Sequence, residues 1–221
     1  LLAVAFPLLI LENREKLARG SGYDLLRDPR DYVDEAEIRL EEAGVPITEE
    51  AERRVIDAAK RDATMMLRHA TYFVSDASCK IGLDLTRAKV YTEMQLISYK
   101  LHIWGVLDAL VEDPYNKRAL VIEWKSGVEY GRAPRLHSWE LAQVHVYALM
   151  EADRLGYDDP KEAVLMGYVV PAIVRPRGQY PVYSISPKYK TSERNVNLEE
   201  LLSLIHISEP TRPLYISYAV F

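Results

Sequence analysis

Residues 104–125 read WGVLDALVEDPYNKRALVIEWK, in which runs of apolar and β-branched residues flank the short segment PYNK. Such runs on either side of a turn segment predict an antiparallel hairpin, with strands over Leu101–Glu112 and Arg118–Lys125. Counting back along both strands from this loop places Asp108 directly opposite Glu123, with their Cβ atoms about 4.5–5.5 Å apart. The sequence therefore predicts two facing carboxylates inside an apolar hairpin.

The side chains on one face of this hairpin predict a metal site. Strand alternation sends Glu123 and Lys125 to the same face and Trp124 to the other. Carboxylates are rarely buried without a partner, and two that face each other repel unless a cation lies between them. An exposed edge or an ion pair with Lys125 would also explain these residues. The face shared by Asp108, Glu123 and Lys125 favours a divalent cation held against a phosphate.

Composition limits the class of protein. The chain has 221 residues, of which 48% are hydrophobic, and it can bury one sizeable core. No apolar run approaches the roughly 18 residues of a membrane helix, and the single Cys79 fits a reducing compartment, so we expect a cytoplasmic protein without a membrane partner. A net charge of −5 does not favour a nonspecific nucleic-acid coat protein. A local basic groove remains compatible with it, and Arg132 and Arg135 are candidates for DNA binding there.

The order of the predicted elements indicates an α/β fold, with a mixed central β-sheet flanked by helices and an N-terminal helical region. We expect residues 1–50 to form that helical region and residues 51–201 to form the core. In chain order the predicted elements are helices over Leu11–Arg19, Pro29–Ala43 and Ala51–Phe73, strands over Val90–Ser98, Leu101–Glu112 and Arg118–Lys125, a helix over Trp139–Leu155, and strands over Ala163–Val174 and Tyr180–Ser186.

The C-terminal residues 202–221 have a different character. LSLIHISEPTR at Leu202–Arg212 and ISYAVF at Ile216–Phe221 resemble a translated sequencing-library adapter. We therefore expect residues 202–221 to be non-native and His206 to have no role. Adapter nucleotides in the underlying sequence would support this expectation, whereas a biological codon pattern through Phe221 would contradict it.

Three motifs occur in an order that resembles a known superfamily. They are G-x-h-D ending at Asp108, h-E-h-K-S-G containing Glu123 and Lys125, and Q-x-x-x-Y from Gln143 to Tyr147 on a predicted helix. This order is similar to that of the PD-(D/E)xK nucleases, and most of all to the RecB-like branch that includes the Cas4 nucleases of CRISPR adaptation. The resemblance covers about residues 65–185 and implies a restriction-endonuclease-like core that hydrolyses DNA phosphodiester bonds with Mg²⁺ or Mn²⁺.

The resemblance also implies roles for single residues. Asp108, Glu123 and Lys125 would be catalytic, and the two carboxylates would bind the metal. Further metal ligands would be His69 and the backbone carbonyl of Trp124, and an imidazole ligand would shift the preference toward Mn²⁺. Gln143 and Tyr147, which share a helix face, would contact DNA. Glu93, on the strand before the hairpin, is either an outer or second-metal carboxylate or an exposed edge residue.

Several functional alternatives remain open. Many Cas4 nucleases bind an iron–sulfur cluster through four cysteines, and Cys79 alone cannot hold one, so this chain does not support that cofactor. The expected partners are DNA, as single strands or duplex ends, and other CRISPR adaptation proteins. A RecB-like repair or recombination nuclease or a restriction-type nuclease would use the same residues. From another class, a catalytically silent DNA-binding subunit would keep the fold.

Overall fold

The computed structural model describes residues 1–21, 24–45, 50–124, 138–157, 164–169, 182–185 and 214–216. It confirms the mixed α/β class. Its elements are α1 (Leu2–Glu12), α2 (Arg14–Ala18), α3 (Pro29–Glu42), α4 (Glu50–Ile81), β1 (Lys89–Ser98), β2 (Ile103–Asp113), β3 (Arg118–Trp124), α5 (Ser138–Leu155), β4 (Val164–Val169), β5 (Val182–Ile185) and β6 (Leu214–Ile216).

The strands form one mixed sheet in the order β1-β2-β3-β4-β5. The pairs β1–β2, β2–β3 and β4–β5 are antiparallel, whereas β3 and β4 are parallel. Helix α5 lies between β3 and β4 in the chain, because parallel neighbours need a crossover connection. The short β6, within the segment 202–221, pairs in parallel with the start of β2.

Two apolar cores lie on opposite faces of this sheet. Ala109 and Val111 of β2 pack in the core formed with α1–α4, whereas Leu110 packs in the core formed with α5. Both faces are covered, which explains why β2 and β3 are nearly continuous apolar runs. In the described part of the chain, no helix combines the length and the apolar character needed to cross a membrane.

The helices differ from the predicted ones at two places. The helix predicted over Leu11–Arg19 is instead two helices that meet at Asn13, because the apolar residues before it already form the buried helix α1. The helix predicted to end at Phe73 continues to Ile81, since Val74 and Ala77 extend its buried stripe.

Asn13 ties the N-terminal helices together, and we predict that replacing it destabilises the fold. Its amide donates hydrogen bonds to the carbonyl of Leu9 and the hydroxyl of Tyr32, and its oxygen accepts one from the backbone N–H of Leu26, all at 2.8 Å. Because Asn13 is 1% exposed, Asn13→Leu leaves buried polar groups unpartnered and should lower the free energy of unfolding by about 2 kcal/mol.

Urea denaturation measures this loss, and Tyr32→Phe provides the matched variant. Tyr32→Phe removes one of the three contacts, so its effect should be smaller and should not add fully to that of Asn13→Leu. Full additivity of the two substitutions would contradict a shared hydrogen-bond network.

The β2–β3 hairpin has the predicted register. The two strands pair across a turn at residues 114–117. Asp113 pairs with Arg118 next to the turn, and Ala109 pairs with Ile122 further along the strands. Continued by one residue, this register sets Asp108 opposite Glu123. The strand ends at Trp124 in the structure, so Lys125, the last residue of the predicted strand, lies outside the described residues.

Candidate functional site

The alternation of side chains along β2 shifts by one residue at Asp108. Leu107 and Leu110 both pack in the α5 core, although strict alternation would send them to opposite faces. Ala109, between them, packs in the core on the other face. The alternation of side chains between the two faces of the sheet is therefore interrupted at Asp108.

The neighbouring strand β1 keeps its register at this level but has a distorted backbone there. Thr92 pairs with Ala109 and Met94 pairs with Leu107, so Glu93 is the residue of β1 that faces Asp108. Glu93 has a φ of 51°, in the left-handed region that non-glycine residues rarely adopt. Such a conformation costs on the order of 1–3 kcal/mol, and His102 and Lys117 adopt it only in turns. At Glu93 it interrupts a strand, so β1 is distorted at the level of Asp108.

The carboxylate of Asp108 is held by the backbone of the adjacent strand. Its Oδ2 accepts a hydrogen bond of 2.7 Å from the N–H of Trp124. The ring of Trp124 packs edge-on against Phe6 of α1, with ring centroids 5.3 Å apart, which anchors the end of β3. The aspartate side chain is thus fixed at the point where β2 and β3 separate.

Glu123 and Asp108 both act on one phenol of α5. Glu123 is 1% exposed, and alternation from Val121, which packs in the α5 core, directs it to the α5 face. Burial raises the pKa of Tyr147 to about 12, and the negative charges of Glu123 and Asp108 raise it in the same direction. The two carboxylates and the tyrosine therefore belong to one electrostatic environment.

Tyr147 is positioned by α5 and by a glycine of β2. Its hydroxyl forms hydrogen bonds with the side chain of Gln143 and with the backbone of Val106. Its side chain is 0% exposed, whereas Gln143 is half-buried. Of the two predicted DNA contacts, Gln143 therefore has the better access, and the burial of Tyr147 favours a role in positioning its neighbours.

The close approach of Gly105 to Tyr147 was not assigned a role from the sequence, although a glycine inside an apolar strand is a recognisable signal. A Cβ at Gly105 would lie 2.6 Å from Cε1 and 3.0 Å from the hydroxyl oxygen of Tyr147. We predict that Gly105→Ala displaces the ring and lowers the free energy of unfolding by about 1–2 kcal/mol. In a Tyr147→Leu background the same substitution should cost less. An equal loss in both backgrounds, measured by urea denaturation, would argue against this contact.

His69, the predicted histidine ligand, lies on another element of the fold. His69 is 2% exposed on α4, a helix that contributes to the core on the face opposite α5. Among the described residues, no three His, Cys, Asp or Glu side chains form a group that could hold a metal ion. His69 is therefore not grouped with Asp108 and Glu123 there, and its ligation of a metal stays a prediction.

The remaining predicted site residues divide into two sets. Glu93 is exposed and faces Asp108. Desolvation of its carboxyl group raises the pKa of Glu93, and the charge of Asp108 raises it further. Lys125, Arg132 and Arg135 lie outside the described residues, so their catalytic and DNA-binding roles stay predictions.

The donor atoms present suit one mode of cation binding. Mg²⁺ is commonly held by one or two carboxylates while it keeps several waters, and Asp108 and Glu123 supply such a pair.

Comparisons of the chain with protein-family models, with curated proteins and with solved structures find no match. The residues of the site and their spacing therefore carry the functional interpretation.

Proposed function

We propose that this protein is a divalent-metal-dependent DNA nuclease with a restriction-endonuclease-like core, related to the RecB-like and Cas4-like enzymes. The proposal rests on Asp108 and Glu123, which the β2–β3 register, continued by one residue, sets opposite each other at the level where β1 and β2 are distorted. The hydrogen bond from Trp124 fixes one of the two carboxylates. The sequence after this pair also supports the proposal, because Lys125 follows Glu123 by two residues on the predicted strand.

A divalent cation would stabilise this pair of carboxylates. Glu123 is 1% exposed, and burial of an ionised carboxylate carries a desolvation cost. Asp108 faces it with the same charge, which adds repulsion. Tyr147 is a neutral phenol at physiological pH, and burial keeps it so by raising its pKa to about 12. A divalent cation between the carboxylates would offset both penalties.

Each residue has a distinct role in the proposed hydrolysis. Asp108 and Glu123 bind Mg²⁺ or Mn²⁺, with the Trp124 carbonyl as a further ligand. When held by these residues, the ion would supply Lewis-acid chemistry for the phosphate and for a coordinated water. Lys125 orients the attacking water and offsets the negative charge that develops on the phosphate. Gln143 contacts the DNA, and Tyr147 holds Gln143 in place.

The proposal is tested by digestion of DNA with the full chain. Single-stranded, linear duplex and circular DNA are incubated with Mn²⁺, with Mg²⁺ or with a chelator. We expect cleavage only with a metal ion, and Lys125→Ala should abolish it. Cleavage of linear but not circular DNA would identify an exonuclease, and cleavage of both an endonuclease.

Two results would contradict the proposal. Cleavage that persists in chelator would show that the reaction needs no metal ion. DNA binding without cleavage under every condition would indicate a catalytically silent DNA-binding subunit instead. Action in CRISPR adaptation, with other adaptation proteins as partners, belongs to the same proposal. Neighbouring CRISPR genes would support it, whereas neighbouring repair or recombination genes would favour a RecB-like repair nuclease.

A further inference from the structure

The interruption of side-chain alternation occurs on β1 as well as on β2, at one pair of facing residues. On β1, Tyr91 and Met94 both pack against the α5 core, although residues three apart in a regular strand point to opposite faces. On β2 the same interruption lies at Asp108. The register of the two strands continues across this level, so neither strand contains an extra residue. Both strands therefore change face at the pair formed by Glu93 and Asp108.

The backbone of Glu93 accounts for this change of face. Its φ of 51° lies far from the extended conformation of a strand residue. Among the residues of β1 and β2, all of which the structure describes, Glu93 alone has a positive φ. The strained residue thus lies on β1, and the pairing of the two strands carries the change of face to β2.

The change of face determines where the carboxylate of Asp108 lies. Side chains of a regular strand stand roughly perpendicular to the sheet. Oδ2 of Asp108 instead accepts a hydrogen bond from the backbone N–H of Trp124 on the adjacent strand. The backbone pairing of β2 with β3 extends from the turn to Ala109 and Ile122, one level before this contact. The aspartate side chain therefore continues the connection between β2 and β3 beyond their last backbone pair.

We propose that the left-handed backbone of Glu93 positions Asp108 for metal binding. It turns β2 at this level, so that the carboxylate of Asp108 lies along the sheet at the end of β3, where the register places Glu123. The role belongs to the backbone of Glu93, and its carboxylate is not required. The proposal rests on the nuclease function proposed above, because the position of Asp108 affects cleavage only if Asp108 holds the metal ion.

Three substitutions at position 93 separate the backbone from the side chain. Glu93→Gly accepts a positive φ without strain. Glu93→Gln removes the charge and keeps the backbone preference of the wild type. Glu93→Val favours the extended strand, because a β-branched residue rarely adopts a positive φ. We expect Glu93→Gly and Glu93→Gln to bind Mn²⁺, as measured by calorimetry, within about threefold of the wild type. Glu93→Val should bind Mn²⁺ at least about tenfold more weakly.

Hydrogen exchange of the Trp124 amide, followed by NMR, tests the geometry in the absence of metal. The hydrogen bond to Asp108 protects this amide. Glu93→Val should accelerate its exchange at least about tenfold, whereas Glu93→Gly and Glu93→Gln should leave it unchanged. The amide of Ile122 is the internal control, because Ile122 pairs with Ala109 outside the distorted level. Its exchange should stay at the wild-type rate in all three variants.

Thermal unfolding in chelator provides a test that does not need a folded Glu93→Val variant. Glu93→Gly should melt about 2–4 °C above Glu93→Gln, because glycine removes the cost of the positive φ. Equal melting temperatures of these two variants would overturn the proposal.

Two further results would overturn the positioning role. The first is a Glu93→Val variant with the wild-type Mn²⁺ affinity and the wild-type exchange of the Trp124 amide. The second is an equal loss of Mn²⁺ affinity in all three variants, which would assign the role to the carboxylate of Glu93. Digestion of DNA with Mn²⁺ separates the two proposals. Cleavage by the wild type and equally by Glu93→Val rejects the positioning role alone, whereas a wild type that neither binds Mn²⁺ nor cleaves DNA rejects the nuclease.

Discussion

Asp108→Asn should reduce metal-dependent DNA cleavage by more than about a hundredfold. Removing even an outer partner of a metal ligand typically lowers affinity or activity ten- to a hundredfold, and Asp108 is proposed as a ligand itself. Asparagine keeps an oxygen that can accept the hydrogen bond from the N–H of Trp124. The fold should therefore survive the substitution, and only the negative charge opposite Glu123 is lost.

Metal binding gives a second readout of Asp108→Asn that does not depend on cleavage. A ligand that binds only the folded state raises its stability by mass action. The melting temperature of the wild type should therefore rise with Mn²⁺, and that of the variant should rise much less. Without metal the variant should be at least as stable as the wild type, because repulsion between two facing carboxylates is removed.

Asp113→Asn is the matched control for the same strand. Asp113 is also buried on β2, but its carboxylate accepts hydrogen bonds from the backbone N–H groups of Asp84, Tyr115 and Asn116 at the opposite end of the hairpin. The Asp113→Asn variant should be less stable than the wild type but should keep the wild-type rate of cleavage per folded molecule. Cleavage by Asp108→Asn at the wild-type rate would refute the metal site.

The hairpin and its register could be predicted because local rules determine them. A turn that contains Pro and Asn, flanked by apolar runs, leaves little freedom in the pairing, so the sequence alone predicts Asp108 opposite Glu123. The spacing of Gln143 and Tyr147 likewise needs only the helical repeat. In each case residues close in sequence set the geometry.

The distortion at the same level could not be predicted. It depends on a left-handed backbone at Glu93, a residue type with no preference for that conformation, and so no sequence pattern signals it. The face of the sheet that α4 covers could not be predicted either. A helical stripe shows that a residue is buried but not which face of a distant sheet the helix covers. Both features depend on tertiary packing rather than on local sequence.

Arg154, near the C-terminal end of α5, contacts two buried carboxylates at once. Its guanidinium donates to both oxygens of Glu151 at 2.8 Å, and it also lies 2.8 Å from Oε2 of Glu112 on β2. The side chains of Glu151 and Glu112 are 0% and 6% exposed. This ion-pair network fixes one end of α5 on β2, while the contact of Tyr147 with Gly105 fixes its middle.

Arg154→Met should lower the free energy of unfolding by about 3 kcal/mol at neutral pH. Removing one partner of a buried ion pair typically costs about 3–5 kcal/mol, because the other charge is left uncompensated. The lower end applies here, since the side chain of Arg154 is 38% exposed and water screens part of the interaction. Arg19→Met is the control, because Arg19 pairs with Glu15 and both are largely exposed, so it should cost less than about 1 kcal/mol.

The loss caused by Arg154→Met should also depend on pH. Burial raises the pKa of Glu151 above its ordinary value of 4.5, and Arg154 lowers it, so the substitution raises this pKa further. A carboxyl whose pKa is raised on folding contributes stability below the unfolded value and loses it as the pH rises through the folded value. The deficit relative to wild type should therefore be small near pH 4 and full near pH 8, as measured by urea denaturation. Adding Glu151→Gln should restore stability mainly at pH 8, because it removes the stranded charge. A deficit that stays constant with pH would instead attribute the loss to the packing of the arginine stem.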